Sequence, residues 1–144
     1  MFADFLKRLT APAPAPLNDG DARLALTALL VRIARADGDY AQAEIDRIDR
    51  ITAARYGLSV FEATALRKEA ETLETEAPDT VRFTRAIKDA VPFEGRIAVI
   101  ESLWQVVLAD GERDAEEDSL LRLAANLLGI NDRDSALARQ RVSE

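Results

Sequence analysis

The chain has 144 residues, of which 48% are hydrophobic, so it is of single-domain length and can bury a sizeable core. It holds 26 acidic against 19 basic side chains, a net charge of −7, and neither cysteine nor histidine. Those absences exclude disulfides, thiolate metal sites, thiol catalysis and the commonest general base and zinc ligand, so any metal held here must accept oxygen donors, as calcium, magnesium and manganese do. The charge balance argues against a nucleic-acid surface, because Arg32, Arg35, Arg47, Arg50 and Arg55 are interleaved with acids rather than gathered into a basic patch.

In chain order, residues 1–9 come first, with Phe2, Phe5, Leu6 and Leu9 at the i, i+3, i+4, i+7 spacing of a short amphipathic helix. Residues 10–18 follow as a linker in which Pro12, Pro14 and Pro16 forbid helix and favour an extended connector. The N-terminal helix either folds back onto the core or docks to a membrane surface or partner through its four apolar residues. No run reaches the roughly 20 continuous apolar residues of a membrane span. Asp4 interrupts the first apolar stretch and Lys7 and Arg8 follow it, which does not suit a signal peptide. The expectation is cytoplasmic residence, with a peripheral position at the inner face of a membrane if the helix docks there.

Residues 19–144 read as one helical domain. Asn18, Asp19 and Asp21 supply capping and negative charge for a first helix, and Leu24 to Ala36 is apolar nearly all round, as a buried central helix would be. A second helix from about Ala41 to Tyr56 turns Ile45, Ile48, Ile51 and Thr52 inward and stops at Gly57. Ser59-Val60-Phe61-Glu62 has capping-box spacing and opens a third, through about Glu74. Pro78 suits the start of a fourth, with Val81, Phe83, Ile87 and Ala90 as its apolar positions. Pro92 opens a fifth, whose run from Ile97 to Ala109 is apolar on most sides and includes Trp104 as a core residue. A sixth, from about Asp114 to Leu128, presents Leu120, Leu121, Ala124, Leu127 and Leu128 and ends at Gly129. Asn131 or Asp132 caps a last short helix through Ala136, Leu137 and Val142. Nothing alternates with period two, so the expected fold class is all-α, a compact bundle around two central helices.

One motif occurs twice. Ala36-Asp37-Gly38 has Glu44 seven positions after its aspartate, and Ala109-Asp110-Gly111 has Glu117 at the same interval, 73 positions later. Both copies end an apolar helix and open another, and Ile45, Ile48 and Ile51 are answered by Leu120, Leu121 and Leu123. Gly57 and Gly129 are only 72 apart, so one copy has gained or lost a residue. The economical reading is an internal duplication giving two pseudo-symmetric halves.

The twin Ala-Asp-Gly-x5-Glu motifs, at the ends of apolar helices in an acidic all-helical chain, resemble the TerB-like family over about residues 22 to 142. That family is named for tellurite-resistance protein B, and related domains occur beside DnaJ domains in membrane-associated cochaperones. The resemblance implies about seven core helices in two similar halves and clustered acids at the two motifs, proposed for the family as a divalent-cation site. The matching positions are Asp37, Gly38, Glu44, Asp110, Gly111 and Glu117.

Two readings of these elbows stand side by side. In the first they are caps and turns, with glycine reversing the chain and the acids lying near the positive end of the next helix. In the second, Asp37 and Asp110 approach each other while Glu44 and Glu117 reach back from the following helices, with Asp39, Glu112 and Asp114 as auxiliary oxygen donors for Ca2+, Mg2+ or Mn2+. The spacing is not that of an EF-hand loop, where glycine is sixth rather than second. Elsewhere, Asp46 with Arg50 reads as a surface pair, Glu116-Glu117-Asp118 as a solvated helix start, and Arg133, Arg139 and Arg141 as a charged tail.

The leading functional expectation is a non-enzymatic cytoplasmic interaction or sensor module with protein partners and no organic cofactor, in which a divalent cation ties the halves together, in a stress response. One alternative is a hydrolase using carboxylate-bound magnesium or manganese; against it stand the missing phosphate-gripping glycine loop and nucleophile motif. Another is a helical scaffold or homodimer whose elbows are only turns.

Overall fold

The computed structural model describes residues 19–36, 38–76, 80–109 and 115–143, and these form seven helices. In chain order they are α1 (Asp19–Ala34), α2 (Gln42–Tyr56), α3 (Val60–Glu76), α4 (Thr80–Ala90), α5 (Phe93–Val107), α6 (Ala115–Leu127) and α7 (Asp132–Val142). No strand occurs among the described residues. The N-terminal amphipathic stretch, the Ala-Pro linker and Pro78 lie outside them.

A helix with apolar side chains on every side has to be surrounded, and α1 is. Leu24 to Val31, Ile33 and Ala34 are all buried, and the helix packs against α2, α3, α4, α5 and α6. Its partner at the centre is α5, which buries Val99, Ile100, Leu103, Trp104, Val106 and Val107 and packs on α1, α2, α6 and α7. None of the described helices is long and apolar enough to cross a membrane.

The peripheral helices bury one stripe each. In α2 the stripe is Glu44, Ile48, Ile51 and Thr52; in α6 it is Glu117, Leu121, Ala124 and Ala125, continued by Leu128 just past the helix end. Leu123, expected to answer Ile51, is exposed because it lies off that stripe, and Ala124 takes the inward place. The stripe of α4 is Phe83, Thr84, Ala86 and Ile87. Val81, expected inward, projects from the opposite side two positions before Phe83, and Ala90 is exposed in the last turn. Arg96 joins α4 to α6 by donating to the carbonyls of Lys88, Val91 and Leu128, which the two helix ends leave open.

Two described stretches, from α1 to α3 and from α5 to α7, follow the same plan. Helix α1 ends at Ala34 and α5 at Val107, and each is closed by the same pair of backbone bonds. Arg35 N–H donates to Val31 O at 2.9 Å and Ala36 N–H to Ile33 O at 3.2 Å; Leu108 N–H donates to Trp104 O at 2.9 Å and Ala109 N–H to Val106 O at 3.2 Å. The 73-residue offset holds along the buried stripes as far as Thr52 and Ala125. It drops to 72 in the last turn, where Gly57 N–H reaches Ala53 O four residues back, while Gly129 N–H reaches Asn126 O only three back. The odd residue is thus absorbed by a tighter final turn of α6. Both glycines have positive φ, 65° and 81°, and the next N–H in each case returns to the helix, Leu58 to Ala53 O and Ile130 to Ala125 O. Ser59 and Asn131 then cap α3 and α7 by accepting from Glu62 N–H and Asp134 N–H. Packing follows suit, with α1 on α3 as α5 is on α7, and α1 on α6 as α5 is on α2.

Candidate functional site

The first elbow is the turn between α1 and α2. After Ala36 the chain passes Asp37, which lies outside the described residues, to Gly38, whose φ of 82° makes glycine the residue of choice. Asp39 is exposed, Tyr40 is half-buried, and Ala41 is the N-cap of α2. Alanine has no acceptor side chain, so Glu44 supplies half a capping box alone, its Oε1 accepting the Ala41 N–H at 3.2 Å. In the second elbow Asp110, Gly111, Glu112 and Asp114 lie outside the described residues.

Glu44 is 0% exposed and Glu117 1% exposed. Each is the third residue of its helix, at the head of the core-facing stripe. This corrects the reading of Glu116-Glu117-Asp118 as a solvated run: Glu116 is exposed, but Glu117 is in phase with Leu121 and Ala124 and is carried into the protein. Taking a carboxylate out of water is expensive unless positive charge and hydrogen bonds compensate. The helix N-terminus supplies part of that compensation through its open N–H groups and dipole. Glu44 and Glu117 each make a further interaction besides. The donor set is all oxygen, which suits a hard divalent cation. No group of three or more ligating side chains arranged for a metal occurs among the described residues, of which Asp39, Glu44 and Glu117 are the motif acids.

Around the first elbow the structure places a brace that the motif does not announce. Tyr40 Oη donates to Glu71 Oε2 at 2.7 Å, and Arg67 joins that carboxylate at 3.0 Å to Asp49 of α2 at 2.7 Å. Burial, and then the bond and the charge of Glu71, push the Tyr40 phenol well above its ordinary value, while Arg67 and Arg35 act in the opposite sense. Arg67 is likewise raised: its bonds and proximity to Asp49 and Glu71 outweigh burial, which pulls the other way. Arg35, the first residue beyond α1, bonds Glu74 Oε1 at 2.8 Å and lies 4.8 Å from the centre of the Tyr40 ring. Arg32 takes the other oxygen, Oε2, at 3.1 Å and the Glu74 carbonyl at 2.9 Å. These arginines therefore fasten α1 to α3. In α2 the expected Asp46–Arg50 pair gives way to Gln42 Nε2 donating to Asp46 at 2.9 Å. The Arg67–Glu71 spacing of four was the visible signal of the brace; its link to Tyr40 was not visible, because it joins positions 31 apart.

Trp104 is a core residue, as its apolar setting suggests, and its Nε1 donates to Ser135 Oγ at 3.1 Å. Arg139 stacks 5.7 Å from its ring centre, and Arg141 pairs with Glu101 at 2.8 Å, so the charged tail docks on the body.

No curated protein and no solved structure matches the chain. A family model described as tellurite resistance protein TerB does match, over residues 23–140, from within α1 to within α7, and the chain belongs to that family.

Proposed function

We propose that the chain is a non-enzymatic interaction or sensor module of the cytoplasm. In this reading a divalent cation is held between two elbows that arose by duplication, and its arrival alters what the surface recruits during stress. The observation that carries it is the burial of Glu44 and Glu117 at the same position of two helices, each heading a core-facing stripe. A second support is the crossed packing of α1 on α6 and α5 on α2, which relates the elbows across the central pair. Asp37 and Asp110 are the partner ligands in this reading, with Asp39, Glu112 and Asp114 as auxiliary donors. A ligand that binds the folded form alone stabilises it by about 2.7 kcal/mol at a hundredfold excess over Kd, enough to tie two halves more firmly.

A structural role has an observation of its own, the Ala41 N–H bond to Glu44, which needs no metal. Pull-downs from lysate with calcium or with EDTA test the sensor element. Partners that change between the two conditions support it, and identical partner sets remove it.

A further inference from the structure

The two most exposed large apolar side chains among the described residues are neighbours. Val60 and Phe61 open α3 and are 78% and 87% exposed, whereas Val81, Phe93, Leu123 and Leu137 lie between 40% and 50%. A single apolar residue at a surface needs no partner, but two consecutive ones this bare form a knob. A groove of about 230 Å³ lies beside it, where the start of α1 meets the ends of α2 and α4. Buried Leu26 and Ile87 make its floor, with Tyr56 and Val91 packed next to them. Chain length keeps knob and groove together, because Val60 is only four residues after Tyr56, at most about 14 Å of chain. Arg23, which lines the groove 4.8 Å from the centre of the Tyr56 ring, also lies close to Glu62. It adds to the stronger effect of the Ser59 N–H and hydroxyl in holding that carboxylate low.

A knob and a hole side by side on one face are self-complementary, since a two-fold axis between them carries each knob into the other copy's hole. We propose that this face joins two copies of the chain as a symmetric dimer, with Val60 and Phe61 of each copy seated in the groove of the other. Apolar side chains then cover the apolar floor twice over. Glu62 travels with the knob, so the carboxylate of one copy is brought to Arg23 and Arg55 of the other, which stand over Tyr56 at 4.8 Å and 5.8 Å from its ring centre. The face lies at the start of α1, the end opposite the first elbow, so the contact is independent of any cation held there.

Sedimentation velocity of the full chain at rising concentration is expected to show a monomer passing to a dimer and no further. Phe61→Ser removes the knob, and Ala90→Glu narrows the groove and sets a carboxylate against Glu62; both positions are exposed. Each variant is expected to stay monomeric over the same range with unchanged helical circular dichroism. Dilution of the wild-type chain is expected to shift the amides of Arg55, Tyr56, Phe61 and Val91 and leave those around Trp104 and Ser135 in place. A wild-type monomer at every concentration overturns the proposal, as does a dimer that either variant retains. Assembly that continues beyond two copies overturns the two-fold arrangement in favour of a head-to-tail contact. Co-sedimentation of a monomeric wild-type chain with phosphatidylglycerol vesicles, lost in Phe61→Ser, gives the face to a membrane surface instead.

Discussion

Helices α3 and α7 occupy corresponding places, each capped by a side chain, each packed on a central helix, yet they fasten that helix by different chemistry. Along α3 the seam is ionic: Glu74 holds Arg32 and Arg35, and Glu71 holds Tyr40 and Arg67. Along α7 it is aromatic, with Trp104 bonded to Ser135 beneath Arg139, and one outer pair, Arg141 with Glu101. At the 72-residue offset Val142, the last residue of α7, corresponds to Ala70, and Glu71 and Glu74 lie beyond that point in α3. The first turns differ too, since Val60 and Phe61 are 78% and 87% exposed where the other half has Asp132 and Arg133. The same plan thus supports one elbow held by an extended helix and a second half locked by a buried indole.

The largest effect expected from breaking this comparison is at the aromatic seam. Trp104→Ala is expected to destabilise by about 3–5 kcal/mol, measured by urea unfolding, through lost burial and the cavity left behind. Glu74→Ala comes next, at about 1–3 kcal/mol, because it removes the carboxylate that Arg32 and Arg35 share, while Arg32 keeps the carbonyl of residue 74 and Arg35 that of Glu71. Raising the salt concentration is expected to shrink the Glu74 loss and leave the Trp104 loss in place. Tyr40→Phe is expected to remove about 0.5–1.5 kcal/mol at neutral pH by deleting one hydrogen bond. The Tyr40 phenol is raised above 10.0, so the stability it contributes is present below that pH and is lost as pH rises toward its folded value. Tyr40→Phe is therefore expected to flatten the alkaline loss of stability, leaving the part due to Tyr56, which burial also raises.

The smallest effect belongs to Glu62, an exposed carboxylate lowered below 4.5 by the Ser59 N–H and then by its hydroxyl. A lowered carboxylate contributes above its unfolded value and loses that contribution as pH falls through its folded value. Glu62→Gln is expected to lower the melting temperature slightly at pH 7 and to converge on the parent chain as pH falls through the folded value of Glu62.

The helices were legible because each carries its own punctuation. Gly57, Gly129, Ser59, Glu62 and Asn131 all act as their spacing suggests. The central pair was legible because Leu24 to Ala34 and Val99 to Val107 are apolar on most sides, broken by Thr27 and Arg32 in the first run and by Glu101, Ser102 and Gln105 in the second. Misplaced residues such as Val81 and Leu123 came from apolarity without phase, since a leucine or valine off the stripe faces water whatever its hydropathy. Burial of Glu44 and Glu117 was open to the same argument, as each sits four positions before a core residue, Ile48 or Leu121. The Tyr40–Glu71–Arg67–Asp49 brace was not, because it joins residues from three elements that only the folded bundle brings together.

The most direct test is a titration of Ca2+, Mg2+ and Mn2+ into metal-stripped protein, read by calorimetry and by amide shifts, beside the Asp37→Ala/Asp110→Ala variant. A composite site predicts saturable binding with shifts centred on both elbows, including Glu44 and Glu117, and lost in the variant. Absence of binding up to millimolar cation in the folded wild-type chain would contradict it and leave the buried glutamates as helix caps.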